Sequence, residues 1–216
     1  MVANSAATVA RRRRAQILHG VYAIINDGER TLELARAVLD AGVGIVQYRA
    51  KRGIAAERLR LLRARTRESG ALLILNDDWR AVLEFDCDGV HLGPDDAGFT
   101  QDGAVRAALD DRLIGLSCAT IDEVRAAVAN DADYLGVGSI YATQSKADAG
   151  EPIGIEGLRA IVAATPLPVA AVGGITVANA GAVRRAGAAM AAVIAAIAGA
   201  SEPRRAAGEL IEAWER

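Results

Sequence analysis

Short, continuous apolar runs alternate with helix-patterned stretches from Val21 to the end of the chain, and the cycle repeats eight times. The runs are Val21–Asn26, Val43–Tyr48, Leu72–Leu75, Gly89–Leu92, Leu113–Leu116, Tyr134–Val137, Val169–Val172 and Met190–Ile194. Unbroken apolarity over so few residues is what a strand covered on both faces shows. The stretches between them, among them Thr31–Ala41, Ala55–Ser69, Ile121–Ala129 and Glu202–Trp214, read as helices. Gly42 and Gly70 follow the first two as stop signals. Eight such cycles in 216 residues predict an α/β fold, a (β/α)8 TIM barrel, with residues 19–216 as one domain. An open doubly wound sheet is the alternative. The sequence has no Gly-x-Gly-x-x-Gly after the first run, which weakens a dinucleotide-binding version of that sheet.

Composition narrows the function classes. A net charge of −2 and 4% aromatics argue against nucleic acid as a partner. The most apolar run, Ala188–Ala200, is alanine-rich and shorter than the ~20 residues that span a bilayer, so no membrane association is expected. Cys87 and Cys118 lie outside any Cys-x-x-Cys pair and read as small buried thiols, which fits a reducing cytoplasm. Residues 1–18, with Arg11-Arg12-Arg13-Arg14, read as a solvated, disordered tail. Whether the chain forms a homo-oligomer is left open.

In this fold function collects where strands end. Gln47, Arg49 and Lys51 close the second run, and strand alternation puts them on one side with Tyr48 and Ala50 on the other. An amide, a guanidinium and an ammonium together suit an oxygen-rich anion such as a diphosphate; a solvated basic loop is an equal reading of these residues alone. Asn76 and Asp77 follow the third run, Gly93-Pro94-Asp95-Asp96 the fourth, and Ser117 the fifth. The polar loop after the sixth carries Thr143, Ser145 and Lys146, and Gly173-Gly174 follows the seventh. Asp77 and Asp96 are candidates for Mg2+, which takes one or two carboxylates along with substrate phosphates. The other reading of Asp77 is a helix cap, a role Asp78 could also fill. Gly173-Gly174 would offer bare backbone N–H groups to a phosphate, or simply form a tight turn. His91, between Val90 and Leu92, is expected to point into the barrel as a satisfied core histidine more often than as a base.

Taken together these residues resemble the thiamine phosphate synthase family. The likeness is carried by Gln47–Lys51 (QYRAK), Asn76–Asp78 (NDD), Asp88–Asp96 (DGVHLGPDD), Asp133–Lys146 (DYLGVGSIYATQSK) and Val172–Thr176 (VGGIT), in register from Val21 to the last helix. It implies a magnesium-dependent transferase joining a hydroxymethylpyrimidine diphosphate to a thiazole phosphate, with release of pyrophosphate. Carried over, Gln47, Tyr48, Arg49, Ala50, Lys51, Asn76, Ser117 and Lys146 would hold the pyrimidine diphosphate. Asp77 and Asp96 would hold the metal. Thr143, Gln144, Ser145, Gly174, Ile194 and Ala195 would hold the thiazole phosphate. Arg49, Lys51, Ser117 and Lys146 would be the catalytic residues, the three cations offsetting charge on the leaving diphosphate, and the loop Ser139–Gly154 would close over the reactants.

The chain departs from the family pattern at three places. Ala119 stands where a histidine is frequent, Ala142 replaces a proline, and Ala195 replaces a serine in the phosphate site. These changes bear on affinity more than on reaction class. A thiazole tautomerase on the same barrel would want the histidine that Ala119 replaces. A non-catalytic thiazole phosphate-binding barrel would not need two metal-type carboxylates, and a sugar-phosphate enzyme would want an inward acid–base pair.

Overall fold

The computed structural model describes residues 6–96, 98, 99, 103–143, 145 and 151–216. Its strands are β1 (Gly20–Asn26), β2 (Ile45–Arg49), β3 (Leu72–Asn76), β4 (Gly89–Leu92), β5 (Leu113–Cys118), β6 (Tyr134–Val137), β7 (Val169–Val172) and β8 (Met190–Val193). They close into a parallel barrel in chain order, with β1 paired to both β2 and β8. Around it run α2 (Thr31–Asp40), α3 (Ala56–Ser69), α4 (Ala81–Glu84), α5 (Ala104–Leu109), α6 (Ile121–Ala129), α7 (Gly154–Ala163), α8 (Ala180–Arg185), α9 (Ala195–Ala198) and α10 (Pro203–Glu215). The (β/α)8 fold read from the repeat is the fold of the molecule.

Side-chain alternation divides the apolar residues into two cores. Val46, Tyr48, Leu73, Leu75, Val90 and Leu135 face outward and pack under the helices. Tyr22, Ile45, Leu72, Ile74, Leu113, Tyr134 and Met190 face inward and fill the barrel. Both faces of every strand are therefore buried, which explains the unbroken apolar runs. Helix starts are fixed locally where the sequence permits. In α6 the Thr120 side chain accepts from the Glu123 amide, and Glu123 reaches back to the Thr120 amide, a reciprocal cap.

From Ala6 onward the structure departs from the expectation of a disordered tail over residues 1–18. Ala6–Ala15 forms an additional helix, α1, and Ala15, Ile17 and Leu18 pack on the inward-facing core. Its arginines hold it there. Arg11 donates to Asp131 and Asp133, and Arg14 to Asp88 and Asp111. Asp88 and Asp133 immediately precede β4 and β6, so the helix lies across the end of the barrel where these strands begin. Each of the two aspartates also accepts a backbone amide of a neighbouring strand, Leu73 N for Asp88 and Ile114 N for Asp133. Each takes an arginine from a peripheral helix as well, Arg63 and Arg106 respectively. Arg11 and Arg14 looked solvated in sequence because their partners lie 74 to 122 residues away, while Arg12 and Arg13 between them are exposed as expected.

Candidate active site

A cavity of about 830 Å³ opens at the carboxyl ends of the strands, within the size range of small-molecule sites. Arg49 from the end of β2, Asn76 from β3, Asp96 beyond β4 and Ser117 from β5 line one side. Thr143, Ser145, Gly174, Ile194 and Ala195, from the segments after β6, β7 and β8, line the other. Arg49 donates to Asn26 Oδ1 at 3.0 Å. The Asn76 amide nitrogen is buried with no hydrogen-bond partner among the described residues. Such an orphan donor is costly unless a bound group completes it.

The carboxylates divide their roles cleanly. Asp78 Oδ1 accepts the amides of Arg80 and Ala81 and so caps the turn that leads into α4. Asp77 makes no such cap. It sits at φ 70°, a left-handed conformation that aspartate tolerates better than most residues, with its amide donated to His91 O. Its carboxylate meets the Lys51 ammonium at 2.5 Å. Asp96 Oδ2 accepts the Gly93 amide at 2.6 Å. Burial raises the Asp96 carboxyl above its ordinary value; the Gly93 amide opposes this, and the neighbouring Asp77 carboxylate adds to it. Two carboxylates are thus held close together with one lysine as counter-charge, an arrangement that favours a further cation. Among the described residues no group of three or more His, Cys, Asp or Glu is placed to hold a metal unaided.

On the opposite wall the glycine turn after β7 packs tightly against the segment after β6. Gly173 and Gly174 have φ 101° and 64°. A Cβ on Gly174 would stand 2.7 Å from both the Ala142 carbonyl oxygen and Tyr141 Cβ. Only glycine meets both the backbone requirement and the close approach. Asn179 fixes the turn that follows, accepting from Thr176 N at 2.8 Å and donating to Gly174 O at 2.9 Å. The last segment is not a plain strand end, because the short helix α9 begins at Ala195 directly after β8.

Several expected positions lie elsewhere. Tyr48 is fully buried in the outer core, and its hydroxyl accepts the Ala55 amide, so its side chain does not reach the cavity. Ala50 also packs on that outer core. The strict alternation that turns Gln47 and Arg49 inward turns these two outward. Gln47 is buried just below the cavity, with Nε2 donating to the Tyr22 hydroxyl at 2.8 Å. Gln144 and Lys146 lie outside the described residues. Cys118 borders the cavity, but burial pushes its thiol up to about 12, which leaves it a poor nucleophile. Sequence reasoning passed over Glu123, which lines the cavity while its carboxylate accepts the Ala119 and Thr120 amides. The spacing Thr120-x-x-Glu123 carried that signal. It also passed over Tyr22 and Tyr134, whose inward positions follow from strand alternation.

Known proteins resemble this chain over most of its length. The family model described as thiamine monophosphate synthase matches residues 21–197. The thiamine-phosphate synthase of Moorella thermoacetica is 43% identical over 195 residues, covering 89% of this chain and 92% of the relative. That of Archaeoglobus fulgidus is 43% identical over 188 residues, covering 85% and 87%. The solved structure of thiamine phosphate pyrophosphorylase from Pyrococcus furiosus superposes with a TM-score of 0.83 at 35% identity, covering 94% of this chain and 98% of its own. The matched span covers most of the chain and includes the cavity-lining residues from Arg49 through Ala196, and on the strength of that match the chain belongs to the thiamine monophosphate synthase family.

Proposed function

We propose that this barrel is a thiamine-phosphate synthase that joins a 4-amino-5-hydroxymethyl-2-methylpyrimidine diphosphate to hydroxyethylthiazole phosphate, or its carboxylated tautomer. The observation that carries the reading is one cavity with two walls suited to anions. Arg49, Lys51 and Asn76 converge with two adjacent carboxylates on one wall, and a glycine-lined turn forms the other. A single phosphate would need only one of them.

In the reaction the bond between the pyrimidine methylene carbon and the diphosphate oxygen breaks, and its electron pair leaves with pyrophosphate. The thiazole nitrogen then supplies the pair for the new carbon–nitrogen bond, and from the carboxylated tautomer CO2 leaves as well, its bonding pair restoring the aromatic ring. The electron-rich aminopyrimidine spreads the positive charge on the methylene, so no protein nucleophile is required. Arg49 and Lys51 hold the leaving diphosphate and offset its growing charge in a water-poor cleft. The orphan Asn76 amide completes its hydrogen bonding on a substrate oxygen. The Gly173–Gly174 turn, Thr143 and Ser145 hold the thiazole phosphate so that its nitrogen faces the methylene. Asp77 and Asp96 suit Mg2+, since the residues present are two hard oxygen donors beside a diphosphate site. Bound there, the ion would neutralise diphosphate charge and leave Lys51 for the substrate. Lys146, in the loop expected to cover the reactants, would add a further cation.

The two-wall assignment makes a separable prediction. Arg49→Ala should raise the KM for the pyrimidine diphosphate by about tenfold or more, the loss of one charge-assisted hydrogen bond. The KM for the thiazole phosphate should change little. Gly174→Ala should do the reverse, because its Cβ displaces the Ala142 segment. Steady-state kinetics with each substrate varied in turn reads both. Equal effects of both variants on both substrates would contradict the assignment.

A further inference from the structure

A hydrogen-bonded chain of side chains runs through the barrel interior beneath the cavity, joining β2 to β5. Gln47 Nε2 donates to the Tyr22 hydroxyl at 2.8 Å. The Tyr22 and Tyr134 hydroxyls lie 3.0 Å apart. Tyr134 lies 3.2 Å from His91 Nδ1, and His91 Nε2 lies 3.1 Å from Ser117 Oγ. The two phenol rings are almost wholly buried, and burial raises both phenols far enough to keep their protons.

The backbone is cut away to admit this chain. A Cβ on Gly115 would overlap the Tyr134 ring, and one on Gly136 would stand 2.5 Å from His91 Cε1. Two inward positions are therefore left without side chains where Tyr134 and His91 pass. A barrel needing only a packed interior would fill such positions with branched apolar residues.

The chain has a polarity. With Gln47 Nε2 as the donor, Tyr134 is the acceptor left for the buried Tyr22 proton, so this amide orientation sets one direction for the chain. In that direction Tyr134 donates to His91 Nδ1, the tautomer that goes with it carries the ring proton on Nε2, and Nε2 donates to Ser117 Oγ. Two consequences follow, one at Gln47 beneath the cavity and one at Ser117 on its wall. Gln47 is left with its carbonyl oxygen, an acceptor. Ser117, having accepted from below, is left with its O–H, a donor. A 4-aminopyrimidine presents the complement: an amino group that donates and a ring nitrogen that accepts. A 4-oxopyrimidine, with a carbonyl and a ring N–H, presents the opposite.

We infer that Tyr22, Tyr134 and His91 are positioning residues that set the hydrogen-bond polarity of Gln47 and Ser117, and so select an amino- over an oxo-pyrimidine. The inference rests on the functional reading above and adds to it a basis for substrate choice. No residue of the set needs to touch the diphosphate.

The test uses the full-length protein and two unreactive probes, the 4-amino- and 4-oxo-2-methylpyrimidine methyl monophosphates, with binding measured by calorimetry. Inorganic pyrophosphate serves as a probe of the anion wall. Tyr134→Phe and Tyr22→Phe keep the rings and remove single hydroxyls, so each cuts the chain at a different point. Thermal melting confirms that each is folded. In both, the preference for the amino probe should fall by about tenfold, the scale of one mispaired buried hydrogen bond. Pyrophosphate affinity should stay within about twofold, as for independent sites. A preference unchanged in both variants overturns the inference, and so does a loss of pyrophosphate affinity equal to the loss of amino-probe affinity. A wild-type protein that binds pyrophosphate but neither pyrimidine overturns the functional reading, and this inference with it.

Discussion

Replacing Asp77 by alanine is expected to lower turnover at saturating substrates by at least about a hundredfold, the scale of losing a principal electrostatic contact with developing charge. The same change at Asp78 should leave turnover intact and cost only ~1 kcal/mol of stability, the usual value of a helix cap. The two residues are neighbours in sequence, yet their environments differ in kind. Asp78 spends its carboxylate on the Arg80 and Ala81 amides. Asp77 directs its carboxylate to Lys51, beside Asp96 and in the cavity. In the Asp77→Ala variant the magnesium concentration for half-maximal rate should also rise, because one of two carboxylates is gone. Rate measurements across a magnesium titration for both variants decide the matter. Comparable loss in the two would make the Asn76–Asp78 turn a structural unit with no separate metal-side role for Asp77.

The second large effect is on stability and lies at the opposite end of the barrel. Asp133→Ala should cost about 3–5 kcal/mol, the penalty for removing one partner from a buried ionic network. Asp133 is only 6% exposed at its side chain and accepts from Arg11, Arg106 and the Ile114 amide. Alanine would leave two guanidinium groups and a strand amide without that acceptor. Against a usual net stability of ~5–15 kcal/mol, this is a large fraction. Urea denaturation of the variant measures it, and a loss under ~1 kcal/mol would show the network to be dispensable. The neighbouring Asp131 adds an acid dependence. Its hydrogen bond from Arg11 is the main cause that holds its carboxyl below the ordinary value. A depressed carboxyl contributes stability above its unfolded value and loses it as pH falls through the folded one. The attachment of α1 should therefore weaken under acid conditions.

The contrast between these two ends explains what the chain reveals when read as a sequence. Period-two alternation is a local property, so the inward set at β2, Gln47 and Arg49, was readable, and so was the barrel itself. The same rule, followed strictly, removes Tyr48 and Ala50 from the cavity; only the family motif had placed them there. Asp77 and Asp78 could not be told apart in sequence, because both precede a helix and the difference lies in a single left-handed backbone turn. Arg11 and Arg14 of the arginine run were misread for a non-local reason: their aspartate partners come from segments joined only when the barrel closes. The interior chain from Gln47 to Ser117 was hidden in the same way, since its five side chains come from five strands. His91 was expected inward and satisfied. It is bonded on both ring nitrogens, and it also borders the cavity, so the core and site readings meet in one residue.

The central claim is that one cavity takes both phosphorylated partners and joins them. The direct measurement is to incubate the purified protein with hydroxymethylpyrimidine diphosphate, hydroxyethylthiazole phosphate and magnesium, and to quantify thiamine phosphate and pyrophosphate together. Equimolar appearance of the two products, dependent on both substrates, is the predicted result. Absence of thiamine phosphate at saturating substrates and magnesium, from protein shown to be folded, would contradict it.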